Sequence, residues 1–212
     1  MGARRPVVTI DGPAGAGKST VARKVAERLG LRFLDTGAMY RAATWKAMSL
    51  GLSDPSAIAA MIRSTSILVD PARVTVDGRD VTKEIRTPEL TARVKPVADS
   101  PECRAELVRL QREAGRAGGL VTEGRDQGSV VFPDAEFKFY LDASSEVRAR
   151  RRAAESGGDE DAIRGAIERR DAEDRGRPVG ALVVPPGAIR IDTSGLTLDE
   201  VVDRILAAVG LP

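Results

Sequence analysis

The chain contains no histidine and no asparagine, one cysteine, and aromatic residues at only 3% of its 212 positions. Each shortage removes a class of chemistry. Without histidine there is no phosphohistidine intermediate, no Ser-His-Asp triad and no imidazole-ligated metal. Without asparagine, the Asn-Lys-x-Asp element with which GTP switches read guanine does not exist. With Cys103 alone, no intrachain disulfide forms and a structural zinc site lacks its ligands. The scarcity of aromatics leaves the core to Val, Leu, Ile and Ala. Long apolar runs are missing too. The opening "MGARRPVVTIDG" passes from two arginines straight into a short β-branched run, so the expectation is a soluble cytoplasmic protein with no signal peptide and no membrane span. Nor is the charge one-sided. Lys and Arg total 33 against 31 Asp and Glu, a net charge of +2, which argues against nucleic acid or an anionic membrane as partner.

What is present is sharper. "GPAGAGKS", Gly12–Ser19, follows the G-x-x-x-x-G-K-[ST] spacing. Gly12, Gly15 and Gly17 let the backbone bend so that successive N–H groups face phosphate oxygens. A helical pattern begins at the end of the loop, and its N-terminal dipole favours an anion. Lys18 reaches β- and γ-phosphates, and the Ser19 hydroxyl suits Mg²⁺. The expected ATP site is Gly12, Pro13, Ala14, Gly15, Ala16, Gly17, Lys18, Ser19 and Thr20. The β-branched Val7–Ile10 before the loop and the 3.6-residue spacing of Val21, Ala22, Val25, Ala26 and Leu29 after it supply the strand–loop–helix context that the motif needs.

Alternation continues with a strand ending at Asp35 and a helix over Ala38–Leu50, which predicts an α/β fold: a five-stranded parallel sheet flanked by helices. Residues from about 66 to 86 change texture. Short β-type pieces are broken by "DP" and "DG", and Asp77-Gly78 marks a tight hairpin, so a small antiparallel insert is expected there. Pro88–Val97 and Pro101–Ala117 read as two helices, each with proline near its start. "GLVTEGRD" and "AEFKFYLDAS" return to buried strands. Ser144–Ala154 and Glu160–Asp174 read as charged helices, "RGRPVGALVVPPG" as a loop, "AIRIDTS" as a last strand and Thr197–Val209 as a closing helix. The expected organisation is one domain over 1–212.

Phosphate loops serve switches, motors and kinases. No Ser-Gly-Gly-Gln transporter signature occurs, and neither "FYLDAS" nor "LVTEG" ends in the paired Asp-Glu of a motor. A kinase acting on a phosphorylated acceptor must bring two polyanions together, which calls for arginines from several segments and a flap that excludes water. Arg41 and Arg125 lie beside turn signals at strand ends, where ligands bind in open α/β sheets. Arg169, Arg170, Arg175 and Arg177 cluster where a helix gives way to a loop. Arg148–Arg152, in "VRARRR", read as solvated surface charge paired with nearby acids. Two alternatives stand beside this: a phosphate-loop kinase for another nucleotide or a metabolite hydroxyl, and a nucleotide-binding module without catalysis.

"TIDGPAGAGKST", "LDTGAMYR", "TKEIRTPEL", "EGRDQGSVVFPDA", "KFYLDAS" and "ERRDAEDRGR", in that order, resemble the bacterial cytidylate kinases, a family of nucleoside monophosphate kinases. The resemblance runs through nearly the whole chain. It implies ATP-dependent phosphorylation of CMP and dCMP, with Mg²⁺. It implies an acceptor-binding region over about 36–117 and a lid over about 155–187. By the same resemblance the acceptor phosphate is bound near Thr36, Arg41 and Arg125, and Arg104 and Asp126 read the cytosine. Arg170 and Asp174 lie near the sugar, and Arg170 and Arg177 close over the phosphoryl group in transfer. The catalytic set is then Lys18, Arg125, Arg170 and Arg177. Three positions depart from the family pattern: Thr36 where serine is common, Gln127 in place of an apolar residue, and Lys95 where a small hydroxyl residue is expected near the base. A lid that must open freely, and the lack of an exposed apolar stripe, predict a monomer.

Overall fold

In the computed structural model, which describes residues 6–210, the run Val7–Asp11 forms the first strand, β1. It is followed by α1 (Lys18–Leu29), β2 (Arg32–Asp35), α2 (Thr36–Ser49), α3 (Pro55–Arg63), β3 (Ile67–Val69), β4 (Val74–Val76) and β5 (Arg79–Asp80). After a 3-10 turn at Glu84–Arg86 come α4 (Pro88–Ala92), α5 (Lys95–Asp99), α6 (Pro101–Arg116) and β6 (Leu120–Gly124). A π-helical turn at Gln127–Val131 leads to β7 (Phe137–Asp142), α7 (Ser145–Ser156), α8 (Glu160–Arg175), β8 (Ile189–Asp192) and α9 (Leu198–Val209). The expected five-stranded parallel sheet is present, in the order β2-β6-β1-β7-β8, and β3-β4-β5 form a separate antiparallel sheet.

The chain divides into two compact units, one made of residues up to Arg32 and from Gly118 onward, the other of Phe33–Ala117. In the first, β1 lies between β6 and β7, with Val8 opposite Val121 and Phe137. Both faces of this central strand are covered, so consecutive residues of β1 and β6 are buried rather than alternate ones. Val8, Ile10, Val121, Phe139 and Leu141 have no exposed surface. The C-terminal ends of β1 and β6 deliver the phosphate loop and Arg125, which is where a parallel sheet presents its ligand-binding groups. The last helix, α9, starts with a capping box between Thr197 and Glu200, and Asp199 in its first turn pairs with Lys24 of α1 at 2.8 Å.

In the second unit, Asp35 caps α2 by accepting the Ala38 N–H at 2.7 Å, so this helix starts two residues earlier than its apolar spacing suggests. Ala38 and Ala42 on its inner face pack with Val74, Val76, Val81 and Ile85. The β4–β5 hairpin turns on Asp77 and Gly78, both at positive φ (49° and 81°) as a type I′ turn requires. Lys46 from α2 holds the Asp77 carboxylate at 2.6 Å. The single helix expected over Pro88–Val97 is instead two short ones, α4 and α5. Pro96 is the cause: it has no N–H to give to a carbonyl one turn back, and its ring collides with that carbonyl.

Candidate active site

The phosphate loop leaves β1 at Asp11 and Gly12. A Cβ on Gly12 would sit 2.0 Å from the Leu141 carbonyl oxygen, and its φ is 151°, so no other residue fits there. The loop then turns into α1, whose first residue is Lys18. Lys18 is 5% exposed and donates to the Pro13 carbonyl at 2.7 Å. Burial, with the positive charges of Arg125 and Arg170 nearby, pushes its ammonium down to about 7, against the opposing pull of Glu123 and Asp11. A bound polyphosphate would offset both the burial and the neighbouring positive charge. Asp11 is fully buried. Its two carboxylate oxygens accept the N–H groups of Gln127 and Gly128, each at 2.8 Å, and burial raises it to about 7 despite those bonds.

The Ser19 hydroxyl donates to Glu123 at 2.9 Å. Glu123 stands near the end of β6, the strand beside β1, and its motif lacks the paired Asp-Glu that would have announced it. A hydroxyl and a carboxylate at contact distance are hard oxygen donors of the kind Mg²⁺ takes, so the residues fit that ion. Among the described residues no group of three or more His, Cys, Asp or Glu side chains forms a protein-only metal cage.

Immediately after β6, Arg125 donates to Asp174 of α8 at 2.7 Å, and Arg177 reaches the other oxygen of the same carboxylate at 2.7 Å. Burial pushes the Asp174 carboxyl up, but Arg125 and Arg177 together hold it below its ordinary value. Arg170, one turn before Asp174 on α8, is exposed, yet its charge is felt at Lys18. Asp126 is buried and precedes the π-helical turn, a local irregularity common at functional sites. The first unit therefore brings together Gly12–Thr20, Lys18, Arg125, Asp126, Arg170, Asp174 and Arg177. The buried Gln127 accepts the Thr122 hydroxyl at 2.9 Å, which explains how a polar side chain is tolerated at an apolar position.

The second unit carries the other three expected residues. Thr36 and Gly37 open α2, so the N–H groups of a helix N-terminus lie beside Arg41 one turn on. A Cβ on Gly37 would come within 3.1 Å of the Arg41 guanidinium, so glycine makes room for it. Arg41 is loosely paired with Asp35 at 3.4 Å, and its Nε is buried without a hydrogen-bond acceptor. Arg104, 3% exposed on α6, donates to the Ala98 carbonyl and lies over the Tyr40 ring, 5.6 Å from its centre. Tyr40 was not apparent as a site residue from sequence, although a chain with two tyrosines offers few platforms of this kind. Lys95, the departure from the family pattern, sits at the start of α5 and pairs with Asp99 at 3.5 Å.

One reading needs correction. Of the "VRARRR" arginines, Arg148 is not a solvated charge. Its side chain is 6% exposed and bonds Asp171 of α8 at 2.6 Å, the Ala14 carbonyl at 2.9 Å and the Ala143 carbonyl at 3.0 Å. Arg151 is half-buried and bonds the hydroxyl and carbonyl of Thr193. Charge density along the sequence cannot separate these from the exposed Arg150 and Arg152, because the selection is made by which face of α7 meets α8 and the phosphate loop.

Comparison with known proteins agrees with this geometry. The family model described as "Cytidylate kinase" matches residues 8–210. The chain is 49% identical to a cytidylate kinase of Desulforamulus reducens, covering 95% of this chain and 96% of that one. It is 48% identical to a cytidylate kinase of Symbiobacterium thermophilum, covering 97% and 96%. Among solved structures it is similar in fold to a gluconokinase from Sinorhizobium meliloti, with a TM-score of 0.51 at 18% identity, covering 97% of this chain and 93% of that one. The phosphate loop, the arginines after β6 and on α8 and a match over residues 8–210 lead to one conclusion: the chain belongs to the cytidylate kinase family.

Proposed function

We infer that this chain transfers the γ-phosphoryl group of ATP to CMP, giving ADP and CDP, and that dCMP is accepted as well. Family membership over nearly the whole chain supports the acceptor. The observation that carries the chemistry is the buried Lys18 at the end of a phosphate loop, with the charges of Arg125 and Arg170 acting on it.

In this reading the loop Gly12–Thr20 and Lys18 bind the ATP phosphates, and Ser19 with Glu123 would hold Mg²⁺, which supplies charge neutralisation at the polyphosphate. Thr36, Arg41 and Arg125 bind the acceptor phosphate. Arg104 and Asp126 read the cytosine, whose amino group needs an acceptor and whose O2 and N3 need donors. Arg170 and Asp174 bind the sugar, and Arg170 and Arg177 neutralise the group in transfer. The acceptor phosphate oxygen attacks the γ-phosphorus in line. It needs no general base, because it is already largely ionised near neutral pH. Rate enhancement comes from alignment and from charges held ready in a water-excluded site.

The acceptor region is assigned to about 36–117, with the small insert at about 66–86, and the lid to about 155–187. We assign a monomer acting in the cytoplasm on free nucleotides. No helix among the described residues is long and apolar enough to cross a membrane. ADP release coupled to NADH oxidation tests the reading: release should depend on CMP, and release at the same rate without any acceptor would refute it.

A further inference from the structure

The phosphate loop is held from behind by a buried ion pair that the family reading does not use. Ala14 is gripped on both sides of its backbone. Its N–H donates to Asp171 Oδ1 at 3.2 Å, and its carbonyl accepts from Arg148 Nη1 at 2.9 Å. Arg148 Nη1 also donates to Asp171 Oδ2 at 2.6 Å, while Arg148 Nε donates to the Ala143 carbonyl at 3.0 Å. The side chains are 6% and 2% exposed. The next residue, Gly15, lies so close to α7 that a Cβ there would come within 3.2 Å of the Arg148 Cβ. A buried pair of this kind adds little stability over apolar packing of the same volume. What it does supply is two directed bonds to the backbone of Ala14, a third that joins the pair, and a fourth that ties Arg148 to the Ala143 carbonyl.

Asp171 and Asp174 are three residues apart on α8, hence on one face of it. Asp171 binds the loop, and Asp174 binds Arg125 and Arg177. Arg170 is the neighbour of the first. The same helix face therefore touches the donor-phosphate loop at one point and the arginines of transfer at the next.

We propose that Arg148 and Asp171 are a positioning pair, which fixes the Ala14 peptide and thereby couples the shape of the phosphate loop to the placement of Arg170 and Arg177 by α8. The pair touches no reacting atom. It sets the register in which ATP phosphates and transfer arginines meet. This rests on the assignment of the loop as the ATP site.

Three conservative or compensating variants test it. Arg148→Lys cannot make all three of its bonds at once, and Asp171→Asn keeps the shape without the charge. Each is expected to lower kcat and raise KM for ATP by about tenfold or more, with a smaller rise in KM for CMP. The double variant Arg148→Met/Asp171→Leu refills the volume with apolar atoms and should keep a near-wild-type Tm while remaining impaired. Wild-type kcat and ATP KM in the folded double variant would make the pair merely structural and overturn the proposal. So would unchanged kinetics in both single variants. Should a variant fail to fold, amide exchange of the wild-type protein without nucleotide still decides: Ala14 must be protected, and rapid exchange there refutes the grip. That arm and calorimetric ATP binding do not depend on turnover. A wild type that binds ATP but phosphorylates no CMP refutes the kinase assignment, whereas an active wild type with unaffected variants refutes the coupling alone.

Discussion

Lys18 was the residue most legible in the sequence, since its spacing from Gly12 and Ser19 assigns it to phosphate. Its electrostatic state was not legible, because that depends on Arg125, Glu123 and Arg170 arriving from distant segments. Two consequences follow from a folded value near 7 against 10.5 in the unfolded chain. Between those values the unfolded chain binds more protons, so the burden of charged Lys18 is fully present below pH 7 and is relieved as pH rises towards 10.5. Lys18→Met should therefore raise the Tm of the nucleotide-free protein by at least ~2 °C at pH 6.5, with a smaller gain at pH 10, while reducing kcat at least ~100-fold. Differential scanning calorimetry in phosphate-free buffer and a steady-state assay check the two halves. In the proposed reading, ATP brings negative charge to the ammonium and restores its proton. Titrations at pH 8 in two buffers of different ionisation enthalpy should show net proton uptake, up to one per ATP, and affinity should fall as pH rises above 7. Arg148 marks the limit at this scale. It sits in a run of arginines where composition alone predicts solvent, and only the docking of α7 against α8 reveals it as buried.

At the scale of elements, the strand–loop–helix opening, the return to parallel strands and the three-stranded antiparallel sheet could all be read from apolar periodicity and turn residues. The break between α4 and α5 could have been, because Pro96 lies inside the apparent helix; the periodicity of its flanks outweighed it. The early start of α2 came from the Asp35 cap rather than from hydrophobic spacing. The π-helical turn had no local signal, since it depends on Asp11 of β1 taking two N–H groups more than a hundred residues away in the chain. The Asp77-Gly78 hairpin offers a clean test of local encoding. Gly78 has φ 81° with open space around a Cβ, so Gly78→Ala adds backbone strain and no collision. The variant should lose about 1–2 kcal/mol of stability in urea unfolding with an unchanged m-value. A neutral result would mean that the turn relaxes to another geometry.

For the molecule as a whole, the candidate residues are distributed over two compact units. The phosphate loop, Lys18, Arg125 and the arginines of α8 belong to one compact unit, and Thr36, Arg41 and Arg104 to the other. The donor half follows from a loop pattern whose physics is local. The acceptor half does not, because the proposed reading of cytosine by Arg104 and Asp126 draws on residues far apart in the sequence and rests on family resemblance. Arg104 lies over the Tyr40 ring, and Asp126 is buried beside the π-helical turn. Substrate selection is therefore the central claim, and a nucleotide panel tests it most directly. With ATP and Mg²⁺ saturating, ADP release is measured against CMP, dCMP, UMP, AMP and GMP. The account predicts kcat/KM for CMP and dCMP at least ~10-fold above that for every other monophosphate; an equal or higher value for UMP or AMP would contradict it.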